Sequence, residues 1–192
     1  MRRALWIALL PLFACGGSEP GDAAPDGAPD GTADSALATA STATVDSVRA
    51  QVVDASGRGL GAVILSDAGA EIELAGALIG LAPGEHGFHI HAVGRCEPPG
   101  FESAGAHLSP EGVPHGFMTE GGPHPGDLRN LVAGEDSIAT VDQSVPAAGL
   151  GGGVSALLDE DGSALVVHAL PDDYSTQPAG GSGDRVACGV IE

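Results

Sequence analysis

Six of the seven histidines in this 192-residue chain fall at spacings that could hold metal ions. His89-Ile90-His91 lies in a β-rich stretch, and in a strand residues two apart project from one face with Cα atoms roughly 6.5 Å apart. Two imidazoles so placed can reach one ion, although surface histidines also arise at that spacing by chance and are then merely solvated. Downstream come His107, His115 and His124, with Asp127 three residues after the last. Three imidazoles and a carboxylate complete a tetrahedral zinc set. With no position left for substrate, such an ion would organise the loop that carries it. His168 ends the run Leu165-Val166-Val167-His168. If that run neighbours His89 and His91, a third imidazole joins them, and nitrogen-rich, flattened coordination suits copper(II). His86, the seventh histidine, points the wrong way along an alternating strand to be a fourth ligand, so a structural hydrogen-bonding role is expected of it.

These residues need a rigid support, and the sequence offers strands. Short β-rich segments recur between turn residues at Val48–Val53, Ala62–Leu65, Glu71–Leu78, His86–His91, Ile138–Val141, Val154–Leu158, Ala164–Ala169 and Val186–Ile191. Glu71-Ile72-Glu73-Leu74 alternates as a half-buried strand does, and Asp54-Ala55-Ser56-Gly57 and Asp159-Glu160-Asp161-Gly162 read as turns. An all-β fold follows, an antiparallel barrel or sandwich of eight strands. Two stretches do not fit as strands: 94–134, rich in Pro, Gly and His, and 171–184, rich in Gly and Asp. Long loops in a compact domain carry function. Aromatic content is only 3%, so the core must be mainly aliphatic.

The charge balance limits the partners. Seven Lys and Arg stand against 26 Asp and Glu, a formal charge of −19, and no lysine is present. Nucleic acid and anionic lipid would be repelled. At the N-terminus Arg2 and Arg3 precede an apolar stretch from Ala4 to Ala14, the charged head and hydrophobic middle of a secretory signal peptide, too short to span a bilayer. The stretch ends Leu12-Phe13-Ala14-Cys15, similar to a bacterial lipoprotein processing site whose cysteine becomes the lipid-modified first residue. Phe13 departs from the small residue usual there, and an ordinary signal peptide cleaved nearby is the alternative. Residues 1–15 therefore read as an export signal. Residues 16–45, which apart from Glu19, Leu37 and Val45 are Gly, Ala, Pro, Asp, Ser and Thr, without an aromatic or basic residue, read as a disordered tether. Residues 46–192 read as the folded domain. Lipidation of Cys15 would leave Cys96 and Cys188 as an even pair in an oxidising compartment, either the periplasm or the cell surface.

Four blocks of this sequence resemble the copper/zinc superoxide dismutase family, and together they span the chain from about Val48 to Ile191. Gly87-Phe88-His89-Ile90-His91 is similar to the family's copper-ligand strand, and Ser103-Ala104-Gly105-Ala106-His107 to the segment bearing a histidine shared between the metals. Gly122-Pro123-His124-Pro125-Gly126-Asp127-Leu128 resembles the zinc segment, and Gly183-Asp184-Arg185-Val186-Ala187-Cys188-Gly189-Val190-Ile191 the C-terminal signature. The resemblance implies a Greek-key barrel and two cofactors, Cu and Zn. Copper would be held by His89, His91, His107 and His168, and zinc by His107, His115, His124 and Asp127. It further implies a Cys96–Cys188 disulfide, a catalytic Arg185 beside the copper, and Asp172 as a carboxylate bonded to a ligand histidine of each site. The implied reaction converts superoxide anion to dioxygen and hydrogen peroxide, with His107 releasing and regaining one metal as it carries a proton.

In isolation Arg185 reads as a salt-bridge partner of Asp184 and Asp127 as a turn residue; the complete ligand set decides otherwise. Two other functions compete. A copper-buffering protein of the cell envelope would need the ligands but neither Arg185 nor a shared histidine. A metal-free β-sandwich for adhesion would need none of them. With no lysine, any attraction for the anion must rest on Arg185, the metals and Arg95 or Arg129, so weak steering is expected. No signature marks a dimer surface, and a homodimer is left open.

Overall fold

The computed structural model describes residues 46–109, 112–150 and 152–192. The readings of the export signal, Cys15 and the tether lie outside these residues. No α-helix occurs among the described residues, so none is long and apolar enough to cross a membrane. Nine strands form one antiparallel sheet: β1 Ser47–Asp54, β2 Gly59–Asp67, β3 Glu71–Ile79, β4 Gly84–His86, β5 Phe88–His91, β6 Leu131–Ala133, β7 Ile138–Pro146, β8 Ala164–His168 and β9 Arg185–Val190.

The sheet order is β4-β6-β7-β3-β2-β1-β9-β8-β5. Its two outermost strands, β4 and β5, are consecutive in the chain and joined through Gly87, so the sheet curls until its ends meet in a nearly closed barrel. Closure removes the open edges that would otherwise invite pairing with another chain. After the β1-β2-β3 meander the chain crosses to β4 and β5 and returns through β6 to β7 beside β3, a Greek-key path.

The core follows from the alternation. In β3 and β7 every second residue in the first half of the strand is buried, which places Ile72, Leu74, Ala139 and Val141 inside. Val52, Val63, Leu65, Leu78, Leu165 and Val167 join them, with Phe88 the one fully buried aromatic ring of this cluster. Each buried aliphatic side chain contributes about 1.5–3 kcal/mol.

β5 and β8 break the alternation, since every residue in both is buried. Phe88 and Ile90 face the barrel core, so His89 and His91 face outward. There they lie beneath the long loop, whose residues 106–108 and 126–128 run alongside β5. Ile90 N donates to Gly126 O at 2.8 Å, and Leu108 N donates to Ile90 O at 2.8 Å. A second cluster of Phe101, Ala104, Ala164, Val166 and Cys188 fills the space between loop and barrel.

Three elements differ from the sequence reading. The segment 86–91 is not one strand: it breaks at Gly87, whose N–H donates to Leu170 O and whose carbonyl accepts from His168 N, both at 2.8 Å. A Cβ at Gly87 would lie 2.6 Å from Ser182 Oγ, so the break needs glycine. Val154–Leu158 is a 3-10 turn rather than a strand. Its Val154 and Leu157 are buried three residues apart, the spacing of that turn, and a short apolar run does not distinguish the two by composition. Residues 131–133 form β6 inside the stretch read as loop. Counting β4 and β5 as one bent strand gives eight.

Candidate metal centre

Nine side chains singled out by sequence come together on the outside of β5, β8 and β9. His89 and His91 project from β5, and His168 closes β8 on the same face as Ala164 and Val166. The long loop brings His107 back against β5, pairing it with His91, while Asp127 pairs with His89. Two groups result: His89, His91, His107 and His168, and His107, His115, His124 and Asp127. In each, one ligand atom per residue lies within 4.8 Å of all the others. His107 belongs to both. Arg185 and Asp172 are the remaining two of the nine.

The hydrogen bonds of the first group leave one nitrogen free on every ring. His89 Nε2 bonds Asp172 Oδ2 at 2.8 Å, His91 Nδ1 bonds Gly105 O at 2.9 Å, and His168 Nδ1 bonds Gly183 O at 3.1 Å. His89 Nδ1, His91 Nε2, His107 Nε2 and His168 Nε2 have no partner although all four are buried. Four buried lone pairs turned toward one another cost free energy unless a cation accepts them. The rings remain neutral ligands at neutral pH. Burial pushes His89 from 6.5 down to about 3 despite the Asp172 bond, and His168 down to about 4; it lowers His91 and His107 too. An all-imidazole set fits copper.

The second group is arranged differently. Asp127 Oδ1 lies 2.8 Å from His107 Nδ1, 3.0 Å from His115 Nδ1 and 3.1 Å from His124 Nδ1. His115 also has its Nε2 3.0 Å from Asp172 Oδ1. His115 thus has a carboxylate oxygen at each ring nitrogen, and as a metal ligand it would keep an N–H for only one of them. His107, His115, His124 and Asp127 would suit a zinc ion, and the His115 N–H would then be left for Asp172. Asp127 stays ionised. Burial works against it, but hydrogen bonds from His107 and from Gly116 N, together with the neighbouring histidines, outweigh burial and lower its pKa.

Asp172 joins the groups, one oxygen to His89 and the other to His115. Burial raises its pKa, and the hydrogen bonds from His89, Tyr174 N and His115 pull it below the usual carboxylate range. Such partners fix the tautomer and orientation of ligand histidines. His86 is no ligand: it sits between Ala82 O at 2.8 Å and His168 O at 2.7 Å.

Arg185 lies opposite His168 in the β8–β9 register. Its Nη1 donates to Phe101 O at 2.7 Å and its Nη2 to Gly105 O at 2.6 Å. The Gly105 carbonyl therefore orients both Arg185 and His91. No sequence signal marks it, because a backbone acceptor is the same at every residue. Beside Arg185 opens a cleft of about 820 Å³ that reaches Asp54, Glu102 and Asp184. The Cys96–Cys188 disulfide ties the start of the loop to β9, with Cα atoms 5.7 Å apart.

Residues 60–191 match the family model described as "Copper/zinc superoxide dismutase (SODC)". The chain belongs to that family. The superoxide dismutase [Cu-Zn] of Caulobacter vibrioides is 45% identical over 149 residues, covering 76% of this chain and 86% of that protein. Among solved structures, a superoxide dismutase-like protein from Bacillus subtilis superposes with a TM-score of 0.68 at 38% identity, over 75% of this chain and 97% of that one. The Cu/Zn superoxide dismutase of Brucella abortus gives 0.61 at 33% identity, over 76% and 99%. Because proteins described only as dismutase-like share the barrel, its shape alone does not carry the activity. In this superoxide dismutase family member both groups of potential ligands are present.

Proposed function

We propose that the chain is a superoxide dismutase in which His89, His91, His107 and His168 hold copper. His107, His115, His124 and Asp127 hold zinc, and Arg185 and His107 act on the substrate. The observation that carries this reading is the set of four buried, unpartnered imidazole nitrogens facing one another beside an arginine.

Two superoxide anions and two protons become one dioxygen and one hydrogen peroxide. Copper, when bound, supplies the one-electron exchange, accepting an electron from one anion and passing it to the next. Arg185 binds and orients the anion. Two of its N–H groups are fixed by carbonyls, so its remaining donors are held in place and offset the desolvation of a charged substrate. His107 carries a proton at Nε2, taking it up in one half of the cycle and delivering it to the reduced anion in the other; water supplies the second. Its Nδ1, fixed against Asp127, keeps that ring from rotating away. Packing by the loop excludes bulk water from His89, His91 and His107.

A copper-buffering protein would require neither a histidine common to two groups nor an arginine tethered at both ends, and this alternative is not favoured. Copper and zinc content and superoxide consumption of the purified protein test the reading. Stoichiometric metals with turnover support it; metal uptake without turnover would contradict it.

The N-terminal sequence supports export, cleavage before Cys15, and anchoring by lipid at that cysteine in the periplasm or at the cell surface. Cys15→Ser should free the protein from the membrane fraction; continued membrane association would sink this assignment.

A further inference from the structure

Residues 172–177 lie along the outside of both histidine groups, and two carboxamide side chains tie them there. Asn130 grips the backbone of Asp172 at two points: its Oδ1 accepts from Asp172 N at 2.9 Å and its Nδ2 donates to Asp172 O at 3.0 Å. Gln177 grips the backbone of His115 in the same way, accepting from His115 N at 2.9 Å and donating to His115 O at 2.8 Å. Each carboxamide does what a neighbouring strand residue would do, offering one donor and one acceptor to the N–H and C=O of one residue. The ties run in opposite directions. Asn130 reaches out from the segment that follows Asp127, and Gln177 reaches back to the loop at His115.

Between the ties the backbone is strained. Tyr174 has φ of 62°, a left-handed conformation that a bulky residue rarely adopts. Three hydrogen bonds hold it: Tyr174 N donates to Asp172 Oδ1 at 2.6 Å, its hydroxyl accepts from Asn130 N at 2.9 Å, and its carbonyl accepts from Met118 N at 3.0 Å. Outside it, Phe117 meets the Tyr174 ring edge-on, and the Arg129 guanidinium lies 4.0 Å from the Phe117 centroid. All of this fixes the backbone from which the Asp172 carboxylate projects, and that carboxylate contacts His89 of one group and His115 of the other.

We infer that Asn130 and Gln177 are positioning residues for both metal groups, a two-carboxamide latch that aims Asp172 and thereby couples the orientation of His89 to that of His115. This rests on the two groups being the copper and zinc sites. With the latch closed, Asp172 Oδ1 holds the His115 N–H at Nε2, so Nδ1 is presented as a ligand. Asp172 Oδ2 does the same for His89. With the latch open, both rings lose the partner that fixes their tautomer.

Asn130→Asp and Gln177→Glu keep shape and acceptor but replace the donor with a carboxylate oxygen facing a carbonyl. The test uses the copper- and zinc-loaded protein and reads zinc release to a chelator, the Cu(II) electron paramagnetic resonance spectrum, and amide exchange of residues 172–177. Both variants should release zinc about 10- to 100-fold faster, the range expected when the partner of a ligand histidine is lost. Asn130→Asp should also change the copper spectrum. In an Asp172→Ala background, Asn130→Asp should add less than about twofold, because that tie would have nothing left to aim; Gln177 also holds the His115 backbone directly, so its variant is not part of this cycle. Unchanged zinc release and an unchanged copper spectrum in a folded variant would overturn the latch. So would full additivity in the Asp172→Ala background, which would show a merely structural tie. If one variant does not fold, the other alone decides. Failure of the unaltered protein to bind both metals would instead strike the functional reading, so the two failures are distinguishable.

Discussion

The two histidine groups share a residue yet are built by different means. Three of the four copper-group residues stand on strands β5 and β8, where the pleat fixes their direction and the β5–β8 and β8–β9 pairings fix their spacing. The zinc group stands wholly on the loop and relies on Asp127, Asp172 and the carboxamide ties to hold its rings. The copper group has four nitrogens without a partner, whereas the zinc group crowds three nitrogens around one carboxylate oxygen. The strand-borne group is therefore set by strand pairing, and the loop-borne group by its hydrogen bonds.

The change with the largest expected effect breaks the comparison by removing what the groups share. His107→Ala should lower superoxide consumption by about a thousandfold, within the 10²–10⁴ range for a positioned proton donor, and weaken both metals. Loss of one metal only, seen by elemental analysis, would show that the ring is not common to both. Asp127→Ala separates the groups. Zinc affinity should fall by more than the roughly 100-fold that loss of an outer partner costs, while copper stays bound through four intact imidazoles. Equal loss of copper in competition titrations would make the groups a single cooperative unit.

Arg185→Ala should leave both metals in place and slow turnover by about 10- to 100-fold, the worth of one charge-assisted hydrogen bond. Pulse radiolysis on the metal-loaded variant measures it, and an unchanged rate would remove Arg185 from the mechanism.

Acid tests the burial of the copper group. Its rings have folded pKa values below the ordinary 6.5, near 4 for His168 and near 3 for His89. Between 6.5 and those values the unfolded chain binds more protons than the folded one, so stability rises with pH across that window. The metal-free protein should melt progressively lower as pH falls from 6.5 to 4. A flat melting temperature would mean the rings are already open to solvent.

The smallest expected effect concerns approach of the anion. Arg49 pairs with Glu192, Arg58 with Asp54 and Arg95 with Glu97, and Arg129 stacks over Phe117. Of the five described arginines, only Arg185 stands by the copper group, its guanidinium bonded to the same Gly105 carbonyl as His91. Arg95 and Arg129, candidates for steering, are thus committed elsewhere. With a formal charge of −19 on the chain, any local attraction for superoxide rests on Arg185 and the bound metals. Raising ionic strength from about 0.01 to 0.15 M, which shortens the screening length from roughly 30 to 8 Å, should leave the rate unchanged or raise it up to about twofold. A steep fall would show a cationic funnel.

Legibility divides along the same line. His89 and His91 were readable because a strand has a fixed period, and β3 and β7 because they bury one face. The loop residues were readable as ligands only by type and resemblance, since nothing local in 94–134 says how it folds back on β5. Asn130, Gln177 and the Gly105 carbonyl were not readable, because their partners are backbone groups brought near only by the finished fold. The break at Gly87 and the turn at Val154–Leu158 were missed for a related reason: a short apolar run does not reveal which neighbour its backbone will bond.

Crystals of the metal-loaded protein, measured at the copper and zinc absorption edges, test the central claim most directly. A copper peak is expected in contact with His89 Nδ1, His91 Nε2, His107 Nε2 and His168 Nε2. A zinc peak is expected in contact with the Nδ1 atoms of His107, His115 and His124 and with Asp127. A single peak, or peaks that leave His107 in contact with only one ion, would contradict that claim.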